Sequence, residues 1–189
     1  MRIIAGKLKG TTLHFSQSKI IRPLKDRARE SIFNLLTHSN KISFHFEKSN
    51  ILDLYAGTGS FGLECASRQA KSVSFVEKAK DAKKILEKNI EKLKIKENVS
   101  IFFEDVFSLI KKQNIFRSKF DLIFCDPPFV DVNIEKLLHL IYNNNLLQDD
   151  GIIVLHRNKN SKEKFQNYFK IIDERIYGIS KVTFGKFLL

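Results

Sequence analysis

Short apolar runs and longer amphipathic stretches alternate along residues 50–189. Asn50-Ile51-Leu52-Asp53-Leu54-Tyr55-Ala56 predicts a first buried strand, with further strands over 72–76 and 99–103. Phe120-Asp121-Leu122-Ile123-Phe124-Cys125 predicts a fourth, and its run Leu122 to Cys125 is apolar on both faces, as in a parallel sheet. Strands over 151–155 and 170–177 follow, and residues 180–189 alternate Val182, Phe184 and Phe187 against polar positions, which suits an antiparallel last strand. Between them lie helices predicted over about 60–68, 79–93, 106–112, 134–142 and 163–168. In the second of these, Ile85, Leu86, Ile90 and Leu93 share one face. Strands alternating with helices predict an α/β fold in three layers, around a seven-stranded, mostly parallel sheet.

The first forty residues pattern differently. Residues 1–20 mix Ile3, Ile4, Leu8, Leu13 and Phe15 with Arg2, Lys7, Lys9 and Lys19, punctuated by Gly6 and Gly10. A small hairpin or extended arm is expected there. Pro23 suits a helix entry, and Ala28, Ile32, Leu35 and Leu36 form an apolar stripe at helical spacing. Residues 41–49 read as a polar connector. One domain over 1–189 is the expectation, with a basic extension at 1–40 and an α/β core at 50–189.

Composition narrows the class. Hydrophobic residues make up 43% of the chain, yet no apolar run reaches the length of a membrane span. Met1 to Lys7 is too short and polar for a signal peptide. Cys65 and Cys125 sit in apolar runs without ligand-like spacing, which suggests buried free thiols and a reducing, cytoplasmic setting. His14, His38, His45, His139 and His156 are scattered, so no metal site is expected. The formal net charge of +12 points to an anionic partner, nucleic acid ahead of membrane. From Arg2 to Arg29 the bases face a single acid, Asp26, so Arg22, Lys25 and Arg29 are candidates to grip phosphates. A solvated amphipathic helix is the competing reading.

Two motifs carry chemistry. Gly57-Thr58-Gly59-Ser60-Phe61-Gly62 joins the first strand to a helix, and Glu77 ends the second strand. Taken alone, that pattern fits a dinucleotide site. Asp53 separates the readings: at the strand end it would face a pyrophosphate with like charge, but it suits a ligand carrying an ammonium and a sulfonium, as S-adenosylmethionine does. Gly57 and Gly59 would let the backbone approach that ligand, Glu77 would accept from ribose hydroxyls, and Asp105 from an adenine amino group. A helix cap for Asp105 and a surface acid for Glu77 are the simpler alternatives.

The second motif is Asp126-Pro127-Pro128-Phe129. Two prolines stop the fourth strand where its carboxyl end meets solvent, the edge at which open α/β sheets bind ligands. A carboxylate, a proline-fixed carbonyl and an aromatic ring suit a flat base with an exocyclic amino group. Asp126 and the Pro127 carbonyl would accept from its hydrogens, and Phe129 would stack on it.

Together DLYAGTGSFGLE, FVE at 75–77, EDVF at 104–107, CDPPF, MRIIAGK with the following LKG, and RPLKDRARESIFNLL resemble the bacterial 16S ribosomal RNA guanine-N2 methyltransferase family, RsmD type. The resemblance spans nearly the whole chain. It implies a Rossmann-like class I methyltransferase fold and methyl transfer from S-adenosylmethionine to guanine N2 in 16S ribosomal RNA. The expected partner is 16S ribosomal RNA, naked or within an assembling small ribosomal subunit, and the chain is expected to be a cytoplasmic monomer. One departure stands out: after the fifth strand the run is Leu155-His156-Arg157, where the family commonly carries an acid near His156. Methylation of adenine N6 or protein glutamine is the nearest alternative. A nicotinamide oxidoreductase fits Asp53 and DPPF poorly. A carbon-5 pyrimidine methyltransferase needs a thiolate, and strand alternation turns Cys125 away from the side Asp126 faces. A non-catalytic RNA-binding protein leaves the strand-end acids unexplained.

Overall fold

The computed structural model describes residues 1–15, 26–112, 114–128 and 133–188, without the side chains of Asp26 and Arg27. Pro23, the expected helix entry, lies outside them. The chain forms helix α1 (Asp26–His38), strand β1 (Asn50–Leu54), α2 (Ser60–Ser67), β2 (Ser72–Val76), α3 (Lys80–Leu93), β3 (Val99–Phe102) and α4 (Val106–Ile110). It continues with β4 (Phe120–Cys125), α5 (Ile134–Asn143), β5 (Leu147–Asn158), β6 (Phe169–Tyr177) and β7 (Ser180–Phe187). The seven strands lie in the order β3-β2-β1-β4-β5-β7-β6. From β3 across to β5 every pairing is parallel, and β7 runs antiparallel to both β5 and β6. The expected architecture is present, with its reversed last strand inserted between two others.

Strand alternation divides the core. Ile51, Val73, Phe75, Leu122, Phe124, Ile152 and Val154 face one way and pack under α1, α2 and α3. Leu52, Leu54, Val76, Ile123, Cys125, Ile153 and Leu155 face the other way, under α4 and α5. On the first face an aromatic stack runs outward from the sheet. The Phe124 and Phe61 rings lie 3.9 Å apart at 10°, Phe61 and Phe33 lie 4.9 Å apart, and Phe33 meets Phe46 at 5.6 Å.

That stack corrects the reading of residues 41–49. Ile42, Phe44 and Phe46 alternate into the core, so a third of the connector is apolar and buried, and Glu47 makes an isolated antiparallel bridge to Ala70. A second correction concerns 163–168, which form no helix. Glu163 is drawn instead to Arg157 and Lys181, and Phe165 and Tyr168 pack against Phe169 and Tyr142. A third concerns β5, which extends beyond 151–155 at both ends because a bulge lets Leu147 pair with Phe120 and β7 pairs its far end.

The amino terminus is a hairpin, closed by an antiparallel bridge between Arg2 and Thr12. It docks on α2 through backbone groups. Ile4 and Ala5 donate to the fully buried Glu64 carboxylate at 2.7 and 2.9 Å, and Lys7 donates to the Ser67 carbonyl at 2.8 Å. Gly6 takes φ +83 here, and a Cβ would lie 2.0 Å from the Ser67 carbonyl oxygen. Asn89, buried on α3, ties the following arm to the glycine loop by accepting from His14 N and donating to the carbonyls of His14 and Thr58. Glu64→Ala should therefore destabilise the protein by roughly 3–5 kcal/mol, because it strands two partly buried N–H donors and the Arg68 partner. Urea unfolding measures the loss, and hydrogen exchange at Ile4 and Ala5 should accelerate with it.

Candidate active site

Parallel strands in register end together. Leu54 of β1 pairs with Val76 of β2 on one side and with Cys125 of β4 on the other, and Cys125 pairs with Leu155 of β5. The residues at this edge are the acids singled out above. Asp53, Glu77 and Asp126 lie close enough that Asp126 and Glu77 both raise the pKa of Asp53. Burial is the larger cause, and together they push Asp53 up to about 8 against the Gly62 N–H that holds its charge. That N–H, in the first turn of α2, donates to Asp53 Oδ2 at 2.9 Å.

The glycine loop wraps over this carboxylate. Gly57 and Gly59 both take positive φ, and a Cβ on Gly59 would sit 2.3 Å from Leu86 Cδ1. Glu77 bridges the loop to its own strand: Oε2 accepts from Gly57 N at 2.7 Å and Oε1 from Ala79 N at 2.6 Å. Carboxylate oxygens accept more than one hydrogen bond each, so Glu77 retains capacity for hydroxyl donors. Asp105 caps α4, accepting from Phe107 N and Ser108 N, and meets Lys78 Nζ at 3.1 Å. Its partial burial pushes the pKa up, but Lys78 and the two backbone donors outweigh that and hold it below the usual range. The cap expected as the simpler alternative is thus real, and it leaves the acid at the sheet edge.

Asp126 follows the last β4 residue, one-fifth exposed at the mouth. Its Oδ1 lies 2.7 Å from His156 Nδ1, and the Pro128 carbonyl accepts from Arg157 Nη1 at 3.0 Å. Neither His156 nor Arg157 was assigned a role from sequence. The signal was present in principle, since the Cys125 and Leu155 pairing places the next residues of β4 and β5 side by side. Phe129 lies outside the described residues, as do Arg22 and Lys25. Arg29 is described, and it corrects one expectation: its side chain is fully buried and Nη2 donates to the Arg2 carbonyl at 2.7 Å. It braces the hairpin from inside instead of standing on the surface. Cys125 is fully buried and burial raises its thiol pKa far out of reach of a neutral-pH thiolate. That removes the chemistry a carbon-5 pyrimidine methyltransferase requires.

A family model described as conserved hypothetical protein 95 matches residues 1–186. The ribosomal RNA small subunit methyltransferase D of Haemophilus influenzae is 33% identical over 181 residues, 95% of this chain and 90% of that protein. This chain belongs to the RsmD family. The solved structure of a candidate methyltransferase from Escherichia coli, 26% identical, superposes with a TM-score of 0.85 over 99% of this chain and 97% of that one. One of a candidate methylase from Haemophilus influenzae, 30% identical, gives 0.79 over 100% and 98%. The fold is accordingly that of class I methyltransferases. Among the described residues no cluster suits a metal ion, and no helix is long and apolar enough to cross a membrane.

The raised pKa of Asp53 has a testable sign. Its folded value of about 8 exceeds the ordinary 3.8, so the folded state holds an extra proton between them. The stability this contributes is complete below about pH 4 and is lost as pH rises towards about 8. Urea unfolding of ligand-free protein at about pH 5 and about pH 8 should show a smaller loss for Asp53→Asn than for wild type, because the amide does not titrate.

Proposed function

We propose that this chain transfers a methyl group from S-adenosylmethionine to the exocyclic N2 amino group of a guanine in 16S ribosomal RNA. Membership of the RsmD family supports S-adenosylmethionine-dependent methylation of ribosomal RNA. The observation carrying the reading is the pairing of two acid sites at one sheet edge: a buried Asp53 beneath the glycine loop, and a partly exposed Asp126 on a proline-fixed turn. The first suits a cationic donor. The second suits an amino-group acceptor.

The donor fits the residues present. A buried carboxylate whose charge is disfavoured is relieved by a cation, so Asp53 would hold the ammonium of the donor's amino-acid arm. The backbone at Gly57 and Gly59 would pass close to the donor, Glu77 would accept from its ribose, and Asp105 from its adenine amino group. S-adenosylmethionine supplies an activated methyl group on a positively charged sulfur. The protein's task on the acceptor side is orientation. Asp126 and the Pro127 carbonyl would accept from the amino hydrogens, turning the nitrogen lone pair out of conjugation with the ring and easing positive charge as it develops. Phe129 would stack on the base. A base held in folded RNA must first be unstacked, at a cost of about a few kcal/mol. Arg22 and Lys25 would help offset that cost through phosphate contacts, with the RNA presented in an assembling small subunit in the cytoplasm.

Nucleoside mass spectrometry of 16S ribosomal RNA, before and after incubation of under-methylated small subunits with enzyme and donor, tests the product directly. N2-methylguanosine is expected, and N6-methyladenosine instead would move the assignment to adenine. The two acids should separate by function. Asp126→Ala should nearly abolish turnover with donor Kd within a few-fold, by calorimetry. Glu77→Ala should weaken donor binding by about 1.5–3 kcal/mol, the size of hydrogen bonds lost to a charged acceptor.

A further inference from the structure

The side chain on Asp126 comes from β5, and its placement follows from the sheet. Cys125 pairs with Leu155, so Asp126 and His156 are the next residues along two adjacent parallel strands and point to the same face. β4 ends at Cys125 because prolines follow. β5 continues, and His156 pairs with Val182 of β7 while Arg157 pairs with Lys181. The histidine backbone is therefore held in a ladder where β4 has ended, although Asp126 N still donates to the Leu54 carbonyl of β1 at 3.4 Å. Its side chain is 7% exposed, against 20% for Asp126. A buried, ladder-held donor thus meets a carboxylate at the mouth of the site, at 2.7 Å from Nδ1 to Oδ1.

The neighbouring residue acts on the same turn. Arg157 Nη1 donates to the Pro128 carbonyl, while its Nε donates to Glu163 Oε1 at 2.7 Å and Lys181 approaches Glu163 Oε2 at 3.4 Å. Two consecutive β5 residues therefore hold both ends of the Asp126-Pro127-Pro128 turn. Glu163 and Lys181 in turn hold the arginine.

We propose that His156 is the positioning residue for Asp126: by donating from Nδ1 to Oδ1 it fixes the carboxylate plane, so that Oδ2 and the Pro127 carbonyl are presented together to the acceptor amino group. This rests on the reading of Asp126 as the amino-group acceptor. A carboxylate accepts hydrogen bonds only, so one oriented donor removes its rotation without occupying the second oxygen. Losing that orientation leaves binding in place and misplaces the reacting nitrogen, which lowers the rate of transfer more than the affinity.

The test compares His156→Ala, His156→Asn and Asp126→Ala in transfer of labelled methyl groups from S-adenosylmethionine to small ribosomal subunits from a strain lacking this enzyme. Asparagine places its amide nitrogen where the imidazole has Nδ1 and donates the same bond. His156→Ala should lower kcat about 10- to 100-fold, with KM for the subunit and Kd for the donor within about threefold. His156→Asn should recover most of that loss. A His156→Ala variant with wild-type kcat, or an Asn variant no faster than the Ala variant, overturns the proposal whatever happens to Tm. If Asp126→Ala keeps its turnover, the reading of Asp126 fails and takes the proposal with it. If Asp126→Ala is inactive while His156→Ala matches wild type, the positioning role alone is lost.

Discussion

Five strands that run parallel must open their carboxyl ends at one edge, and in this protein that edge concentrates negative charge. Asp53, Glu77, Asp105 and Asp126 all stand there, at or just past the ends of β1, β2, β3 and β4. Like charges repel, and Asp126 and Glu77 both act on Asp53 in this way. Each acid is accordingly met by donors that the fold supplies: Gly62 N for Asp53, Gly57 N and Ala79 N for Glu77, Phe107 N and Ser108 N with Lys78 for Asp105, and His156 for Asp126. Most of those donors are backbone N–H groups at helix starts and in the glycine loop, so the loop conformation and the charge pattern depend on each other.

Asp53 is the extreme case. It is the most deeply buried of the four, and burial with the nearby Asp126 and Glu77 raises its pKa to about 8. A site held in that condition favours a cationic ligand over an anionic one, which is why a pyrophosphate-bearing dinucleotide fits poorly despite the glycine pattern. At the other end of the group, Asp126 keeps one-fifth of its side chain open, and the rigid parts around it belong to β5. The acids therefore differ in what holds them: backbone amides around Asp53 and Glu77, and a side chain of a neighbouring strand beside Asp126.

The basic extension takes part in the structure more than its charge suggests. Glu64 and Ser67 of α2 receive the hairpin, Asn89 of α3 ties the arm to the glycine loop through the Thr58 carbonyl, and Arg29 binds the hairpin backbone from within. A guanidinium in a helical basic stripe reads as a surface charge. Here it is interior, because α1 turns that position towards the hairpin and its long side chain reaches the Arg2 carbonyl.

The sequence by itself determined the order of the strands and of the helices up to α5, the parallel core with its reversed last strand, and the acids at the strand ends. Those features are local: an apolar run's length, its alternation and the glycine or proline that stops it are all written within a few residues. The buried aromatic positions of 42–46 were missed because polar Ser43 and His45 interrupt them and the ring that receives Phe46, Phe33, lies on a helix. The irregular path of 163–168 was missed because Glu163 answers to Arg157 and Lys181 across space, against its own helical propensity. Only the tertiary structure brought His156 to Asp126, thirty residues apart in sequence. That contact depends on the register between β4 and β5, which pairs Cys125 with Leu155 after a shift between Phe120 and Leu122, and a pairing across space is not written in either strand alone.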